Sequence, residues 1–201
     1  MSAVGRGGHP GGRLAAAAAG ALGLRNLVLV GFMGVGKSTL GQGAARALHR
    51  PFADTDALVE RRAGRAIPAI FAAEGEEAFR ALEAAAILQL TRGGGRVLAT
   101  GGGALGRPGN LEALRANGLL VCLFARPEVI LARVGGAAAA ARRPLLAGGD
   151  AAARIAALLA ARAPHYAAAD LRLDTSDLPR AAAVQALLRL CAEGGRRRGG
   201  G

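Results

Sequence analysis

The stretch LVLVGFMGVGKSTLG, residues 27–41, constrains the fold of this chain more than any other part of it. Its apolar run stops at Gly31 and a helix-forming pattern begins at Lys37, so it predicts a strand, a tight loop and a helix. Gly31, Gly36, Lys37 and Ser38 have the spacing of a P-loop, whose backbone N–H groups surround the phosphates of a nucleotide. We therefore expect Lys37 to reach the β- and γ-phosphates and Ser38 to bind Mg²⁺.

Lys37 is the only lysine among the 26 lysines and arginines of the chain. The ammonium group of lysine is a compact point charge, whereas the guanidinium group of arginine is a planar fork. Arginine therefore cannot replace lysine in a tight phosphate-binding loop. A chain with one lysine cannot also carry the Asn-Lys-x-Asp motif with which Ras-type GTPases bind guanine. The carboxylate that holds Mg²⁺ must also come from elsewhere than the apolar segment RVLAT, since GGG follows it instead of an acidic residue. These glycines form either a plain turn or a place where the backbone approaches a ligand closely.

Apolar runs and helix-forming patterns alternate along the rest of the chain. Strands are predicted at 26–30, 51–54, 96–100, 119–124 and 171–175. Helices are predicted at 37–49, 57–63, 67–73, 76–92, 111–118, 127–134 and 180–192, and from a cap at Asp150 to about Arg162. This alternation predicts an α/β fold of three layers, with a five-stranded parallel sheet covered by helices on both faces. Catalytic residues are then expected where the strands end.

Three segments differ from this pattern. Residues 135–149, GGAAAAARRPLLAGG, lie between glycine pairs and predict a mobile lid. Residues 1–25 contain three arginines and no acidic residue, and are either a flexible basic extension or the remnant of a transit peptide. Residues 193–201 are expected to be a disordered basic tail. The folded domain is therefore predicted to be 26–192.

The composition limits the function classes. The net charge is +12, but the basic residues are spread along the chain and aromatic residues make up only 3%, which argues against a nucleic-acid site. No apolar run approaches the roughly 20 residues that a membrane span needs. Cys122 and Cys191 have no metal-binding or redox spacing and are expected to be buried thiols. We expect a monomer in a bacterial cytoplasm, with a plastid stroma as the alternative location.

Two acidic residues lie at the end of the short predicted strand 51–54. Asp54 and Asp56 flank Thr55, and residues at i and i+2 of an extended segment point to the same side. One carboxylate can then face a metal ion while the other faces a neighbouring substrate. The alternative is that Thr55 or Asp56 only caps the helix that follows.

Three arginines each have two explanations. Arg80 lies in a helical pattern and is either a substrate ligand or an ion-pair partner of Glu77 or Glu83. Arg143 is either a surface charge or a lid residue that reaches the site when the lid closes. Arg162, near the end of a predicted helix, is either a substrate ligand or a cation favoured there by the helix dipole.

Together these features resemble the shikimate kinase family. The resemblance runs from about Leu27 to Leu190 and rests on the phrases GFMGVGKSTLG, FADTDALVE, GRAIPAIFAAEGEEAFRALE, TGGGA, RRPLLAG and ARAPHY. Asp-Thr-Asp, the Phe-Arg pair after EGE and the lid Arg-Pro-Leu-Leu are not general P-loop features, so the match is specific. One departure is the lid phrase AAAAAR between Gly136 and Arg143, which is longer than expected and places Arg142 in competition with Arg143.

The resemblance implies a nucleotide side of the site. Residues implied to bind ATP are Gly34, Val35, Gly36, Lys37, Ser38, Thr39, Arg133 and Arg143. Arg133 is implied to lie beside adenine and Arg143 to stabilise charge on the transferred phosphoryl group. Ser38 is implied to be a direct ligand of Mg²⁺, and Asp54 to hold the ion through water.

The resemblance also implies an acceptor side. Residues implied to bind shikimate are Asp56, Phe71, Phe79, Arg80, Gly101, Gly102, Gly103 and Arg162. Asp56 is implied to accept the proton of the attacking hydroxyl, and Arg80 and Arg162 to clamp the substrate carboxylate in the geometry that a guanidinium favours. The catalytic residues implied in this way are Lys37, Asp56 and Arg143.

The implied reaction converts ATP and shikimate to ADP and 3-phosphoshikimate. Positioning, charge neutralisation and exclusion of water are expected to supply most of the rate. Two alternatives stay open at this point: a different small-metabolite kinase of the same architecture, such as a gluconate kinase, and a kinase-like protein that binds without catalysis.

Overall fold

The computed structural model describes residues 10–135, 146 and 150–197, which form an α/β domain around one parallel sheet. The strands are β1 Asn26–Val30, β2 Phe52–Asp54, β3 Val97–Ala99, β4 Gly118–Phe124 and β5 Leu171–Asp174. The helices are α1 Pro10–Leu22, α2 Lys37–Leu48, α3 Thr55–Ala63, α4 Ile67–Thr91, α5 Asn110–Ala116, α6 Pro127–Arg133, α7 Ala151–Ala167 and α8 Arg180–Arg197. A short 3₁₀ helix, Ala104–Gly106, follows β3.

The five predicted strands are confirmed, and their order in the sheet is β2-β3-β1-β4-β5. All four pairings are parallel; Leu27 of β1 lies opposite Val97 of β3 on one side and Leu119 of β4 on the other. Every residue of β1 and β3 is buried, whichever face it points to, so helices cover both faces of the sheet. The parallel arrangement brings the carboxyl ends of β1, β2 and β3 to one edge.

Helix α4 confirms the predicted break between two helical segments. Gly75 has φ 82° and ψ 177°, so the backbone leaves the helical region at this residue and resumes it afterwards. A residue without a side chain adopts such a positive φ at little cost. The second segment of α4 consequently takes its own direction and presents Phe79, Arg80 and Glu83 to the region beyond β3.

Residues Pro10–Leu22 form helix α1, which packs along α8. Leu22 is buried, and the side chain of Arg50 donates from Nη1 to the carbonyl of Arg25 at 2.7 Å, which holds the chain after the helix. The prediction that 1–25 is a flexible extension is therefore wrong for Pro10–Leu22. Alanine has the highest helix propensity, and its small side chain lets two helices approach closely, so the alanine run is a packed element.

The carboxyl-terminal half differs from prediction in two helix ends. Asp150 caps α7 as predicted, accepting a hydrogen bond from the N–H of Ala152 at 2.9 Å. However, α7 continues past Arg162 to Ala167, and α8 continues to Arg197, so the prediction of disorder from residue 193 is wrong up to that residue.

Two further predictions concern burial and membranes. Cys122 and Cys191 are both buried free thiols, as predicted. Within the described ranges, no helix is both long enough and apolar enough to cross a bilayer. The predicted lid at 135–149 lies outside the described residues except for Gly135 and Leu146.

Candidate active site

The loop between β1 and α2 forms a cradle of backbone groups. Gly31, Gly34 and Gly36 have φ of 131°, 78° and 96°, a region of backbone conformation that favours glycine. At Gly31 a side chain would also collide with the carbonyl oxygen of Leu123 in β4. The spacing of glycines in the sequence therefore has the expected cause: the backbone turns where a side chain cannot fit.

Lys37 lies at the first position of α2 and points back along the loop. Its ammonium group donates to the carbonyl oxygens of Gly31 and Phe32, each at 2.8 Å. Burial lowers the pKa of Lys37 to about 8, and the neighbouring Asp56 and Asp54 oppose this shift. A partly desolvated ammonium fixed at the mouth of a phosphate cradle is well placed to attract a polyphosphate.

Ser38 and Asp54 place two side-chain oxygens next to each other beside the loop. The hydroxyl of Ser38 donates to Oδ2 of Asp54 at 2.6 Å, although the two residues come from α2 and from the end of β2. Both side chains line a cavity of about 540 Å³ with the P-loop residues Gly34, Val35 and Gly36. Hard oxygen donors next to a phosphate cradle suit Mg²⁺, so the residues fit this ion. Thr39 lines the same cavity.

The backbone conformation of Asp56 differs from the prediction, but its side chain faces the site as predicted. It belongs to the first turn of α3, and Asp54, not Thr55 or Asp56, caps this helix by accepting the N–H of Asp56 at 3.0 Å. The prediction that Asp56 lies in an extended segment is wrong, because the strand ends at Asp54 and α3 begins at Thr55. Burial, together with the nearby charges of Asp54 and Glu83, raises the pKa of Asp56 to about 6.

A second cavity, of about 300 Å³, adjoins the first. Asp56, Met33 and Gly102 border both cavities, so the two cavities meet at these residues. The rings of Phe71 and Phe79 lie 4.9 Å apart between centroids and form an apolar wall of the second cavity. This arrangement places a carboxylate of raised pKa between a phosphate cradle and a pocket for a small molecule.

Two arginines line the second cavity from different helices. Arg80 of α4 donates to Glu76 through Nε and Nη2 and to Glu83 through Nη1, whereas Glu77 pairs with Arg107 instead. These bonds use three of the five N–H donors of the Arg80 guanidinium, which leaves two for a ligand among the described contacts.

The second arginine, Arg162, approaches from α7. It donates from Nη1 to the carbonyl of Gly102 at 3.2 Å, and its guanidinium lies 5.4 Å from the centroid of the Phe32 ring. The prediction that this residue stands at a helix end is wrong, since α7 continues for another turn. Arg162 and Arg80 both line this cavity, so two guanidinium groups, each with forked N–H donors, face one pocket.

The glycine run after β3 lies between these groups. The N–H of Gly101 is donated to the hydroxyl of Thr55 at 2.9 Å, so Gly101 contributes space to the pocket and no free donor. A side chain at Gly101 would collide with Oε1 of Glu83 and come within 2.8 Å of Oδ1 of Asp56. Gly102 and Gly103 line the same pocket.

Glu83 is a site residue that the sequence did not single out. Its side chain is fully buried, and Oε1 of Glu83 and Oδ1 of Asp56 have no hydrogen-bond partner among the described residues. Burial raises the pKa of Glu83 although Arg80 opposes the shift. Its spacing of three residues from Arg80 was the available signal, but helical spacing alone indicates only an ion pair.

Arg133 and Arg143 have different outcomes. Arg133 lines the nucleotide-side cavity and donates from Nη1 to the hydroxyl of Thr175 at 3.0 Å and from Nη2 to the carbonyl of Thr175 at 2.5 Å. These bonds hold Arg133 against the segment after β5. Arg143 lies outside the described residues.

A parallel sheet with a P-loop after its central strand, an acidic pair at the end of β2 and an arginine-lined pocket defines a P-loop kinase of small molecules. The family model for shikimate kinase matches residues 33–192. The shikimate kinase of Geobacter sulfurreducens is 51% identical to this chain, and the alignment covers 76% of this chain and 82% of that protein. The shikimate kinase of Caldanaerobacter subterraneus is 45% identical, over 77% of this chain and 88% of that protein. The chain belongs to the shikimate kinase family.

A solved structure agrees with this assignment. Shikimate kinase from Acinetobacter baumannii in complex with shikimate superposes with a TM-score of 0.80 at 36% identity, covering 88% of this chain and 97% of the other. The shikimate kinase of Bacteroides thetaiotaomicron gives a TM-score of 0.74 at 32% identity, over 83% of this chain and 98% of that one.

Proposed function

We propose that this chain transfers the γ-phosphoryl group of ATP to the 3-hydroxyl of shikimate. The observation that carries the proposal is the position of Asp56, which lines both the nucleotide-side cavity and the arginine-lined pocket and whose buried Oδ1 has no hydrogen-bond partner among the described residues. A carboxylate at such a junction can accept the proton of a hydroxyl that attacks a phosphoryl group. The identity of the acceptor, shikimate, is inferred from membership in the shikimate kinase family.

On the nucleotide side the protein has little covalent chemistry to perform. The cradle from Gly31 to Gly36 and the ammonium of Lys37 bind the β- and γ-phosphates and orient the γ-phosphorus toward the acceptor pocket. Ser38 and Asp54 would hold Mg²⁺, which neutralises charge on the phosphates when bound. Arg133 packs beside the base.

On the acceptor side, Arg80 and Arg162 bind the carboxylate of shikimate through their forked donors. The rings of Phe71 and Phe79 cover the apolar face of the substrate ring and exclude water. This orientation directs the 3-hydroxyl toward Asp56. The substrate O–H bond then breaks as the new O–P bond forms, the bond from the γ-phosphorus to the bridging oxygen breaks, and the proton passes to Asp56.

Several parts of the proposal rest on the sequence and on the relatives. Arg143 in the segment 135–149 stabilises the transferring phosphoryl group when this segment covers the site. The protein acts as a monomer without nucleic acid, and the bacterial relatives favour the cytoplasm over a plastid.

A coupled assay of ADP release, with shikimate as the varied substrate, tests the proposal. We expect shikimate-dependent turnover, and ³¹P NMR of the product should show a phosphomonoester on the 3-hydroxyl. Gluconate at equal concentration is the matched control, because it is also a hydroxylated carboxylate and belongs to the alternative kinase class. Turnover with gluconate but not with shikimate, or ATP binding without transfer to either, would contradict the proposal.

A further inference from the structure

One carbonyl oxygen in the site receives two side chains from the same helix. The oxygen of Gly102 accepts the hydroxyl of Tyr166 at 2.6 Å and Nη1 of Arg162 at 3.2 Å. The two donors are four residues apart on α7 and therefore lie on one face of that helix. Tyr166 belongs to the phrase ARAPHY, and the roles assigned so far do not include it.

The hydroxyl of Tyr166 stays protonated and can therefore act as a hydrogen-bond donor at any pH near neutrality. Its side chain is buried, and burial raises the pKa of its hydroxyl to about 12, so the group keeps its proton throughout the neutral range. An O–H···O separation of 2.6 Å is at the short end of the usual range for this bond. The contact is therefore a well-formed hydrogen bond between α7 and the loop after β3.

The loop needs such a support because three consecutive glycines have little conformational preference of their own. Thr55 accepts the N–H of Gly101, and the carbonyls of Gly101 and Gly103 accept the backbone N–H groups of Ala104 and Gly106 in the 3₁₀ helix that follows. The carbonyl of Gly102 is instead held by side chains from α7. The orientation of this one peptide group thus depends on another element of the fold.

Holding this oxygen also orients a donor. The peptide between Gly102 and Gly103 is planar and trans, so its N–H points opposite to its C=O. A hydroxyl that fixes the oxygen of Gly102 consequently fixes the direction of the N–H of Gly103, and Gly103 is one of the residues that line the arginine-lined pocket. When Arg162 turns its donors to a substrate carboxylate, Tyr166 is the donor that remains on this oxygen.

We propose that Tyr166 is a positioning residue, which orients the Gly102–Gly103 peptide so that the N–H of Gly103 and the guanidinium of Arg162 meet the acceptor carboxylate together. This inference rests on the proposed function for the identity of the acceptor. It does not require Tyr166 to touch the substrate.

The substitution Tyr166→Phe tests this inference, because it removes the hydroxyl and keeps the buried ring. We expect the KM for shikimate to rise about 5- to 10-fold, the scale of one lost hydrogen bond, while the KM for ATP stays unchanged. Thr91→Val is the matched control, since it removes a hydroxyl bonded to the carbonyl of Ile87 at 2.9 Å at the far end of α4. The control should leave both KM values unchanged.

A second measurement does not depend on the substrate. In ¹⁵N spectra of the protein without ligand, we expect Tyr166→Phe to shift or broaden the amide signal of Gly103 while Thr91→Val leaves it in place. An unchanged Gly103 signal, an unchanged KM for shikimate, or equal increases in both KM values would each overturn the inference. Absence of shikimate turnover in the unmodified protein would instead overturn the proposed function, and the amide signal would still decide whether Tyr166 orients the peptide.

Discussion

At the scale of single residues, Asp56 shows how burial prepares a side chain for chemistry. Its carboxylate lies in the first turn of α3, near the acids Asp54 and Glu83, and its pKa is raised to about 6. The sequence predicted that this residue faces a substrate, but for an incorrect reason, since the segment is helical and not extended. The raised pKa could not be predicted, because it depends on burial and on Glu83 from α4.

Replacing this carboxylate tests its role as the base. We expect Asp56→Asn to lower kcat/KM for shikimate by about 10²-fold or more, the scale of a lost general base, and to leave the affinity for ATP nearly intact. Glu112→Gln removes the same charge from an exposed position on α5 and should leave the rate unchanged. Steady-state kinetics and calorimetry with ATP provide the two measurements. Unchanged activity of Asp56→Asn would remove this residue from catalysis.

The pH dependence follows from the same group. A base must be deprotonated to accept a proton, and Asp56 becomes protonated as the pH falls through its pKa of about 6. We therefore expect kcat/KM for shikimate to fall with decreasing pH below about 6 and to be independent of pH just above it. A rate profile from pH 4.5 to 7.5 measures this. A profile whose acid limb lies near pH 4 would show that the pKa of the working base is not raised.

Gly101 is a second residue at which the structure makes a prediction. A methyl group there would collide with Oε1 of Glu83 and approach Oδ1 of Asp56, so Gly101→Ala must move the two carboxylates apart. We expect at least a 10-fold loss of kcat/KM for shikimate, with ATP affinity retained. Gly106→Ala is the control, since a methyl group there lies 3.4 Å from the His165 ring, an ordinary contact distance. Equal effects of the two substitutions would contradict this explanation of Gly101.

At the scale of elements, the strands and most helices could be predicted because each has a local signature. Runs of four to six residues rich in apolar side chains, separated by glycines and helical patterns, located every strand to within one residue at each end. Helix α1 was not predicted, because an alanine run has no apolar periodicity. Alanine favours a helix, but a helix of 13 residues is marginal in water by itself, so packing against α8 is needed to stabilise it.

Two leucines near the end of α1 test whether this helix is part of the fold. Leu22 is 1% exposed and Leu24 is 85% exposed, so the same substitution meets a core at one position and water at the other. We expect Leu22→Ala to lower the free energy of unfolding by about 2–4 kcal/mol, and Leu24→Ala to change it by less than about 0.5 kcal/mol. Urea denaturation of both variants measures the difference. If both substitutions changed the free energy of unfolding by equally small amounts, the prediction of a flexible extension would be correct for this segment.

At the scale of the whole molecule, the sheet assembles the site from distant parts of the chain. The carboxyl ends of β1, β2 and β3 supply the P-loop, Asp54 and the glycine run, and α4 and α7 bring the two arginines from either side. Formation of the site therefore requires the folded domain. Binding of a nucleotide should stabilise the whole domain, because the unfolded chain has no cradle.

The substitution Lys37→Met tests whether Lys37 contributes to nucleotide binding and not to the stability of the fold. Without ligand we expect the free energy of unfolding to change by less than about 1 kcal/mol, because relief of a desolvated charge opposes the loss of hydrogen bonds to Gly31 and Phe32. Mg²⁺-ATP at about 100 times its Kd should add about 2.7 kcal/mol to the unmodified protein and almost nothing to the variant. Thermal or urea unfolding with and without nucleotide measures both. Equal stabilisation of the two proteins would contradict the role of Lys37.

The sequence by itself determined the P-loop, the alternation of strands and helices, and the residue types of a kinase for a carboxylated acceptor. These features are local, since a glycine turn, an apolar run or a lysine at a fixed spacing has the same physical consequence in many folds. The tertiary structure decided that Glu83 joins Asp56 around Gly101, and that Tyr166 and Arg162 meet at the oxygen of Gly102. Such contacts join residues far apart in the chain. They arise only when the packing of α3, α4 and α7 against the sheet brings these side chains together.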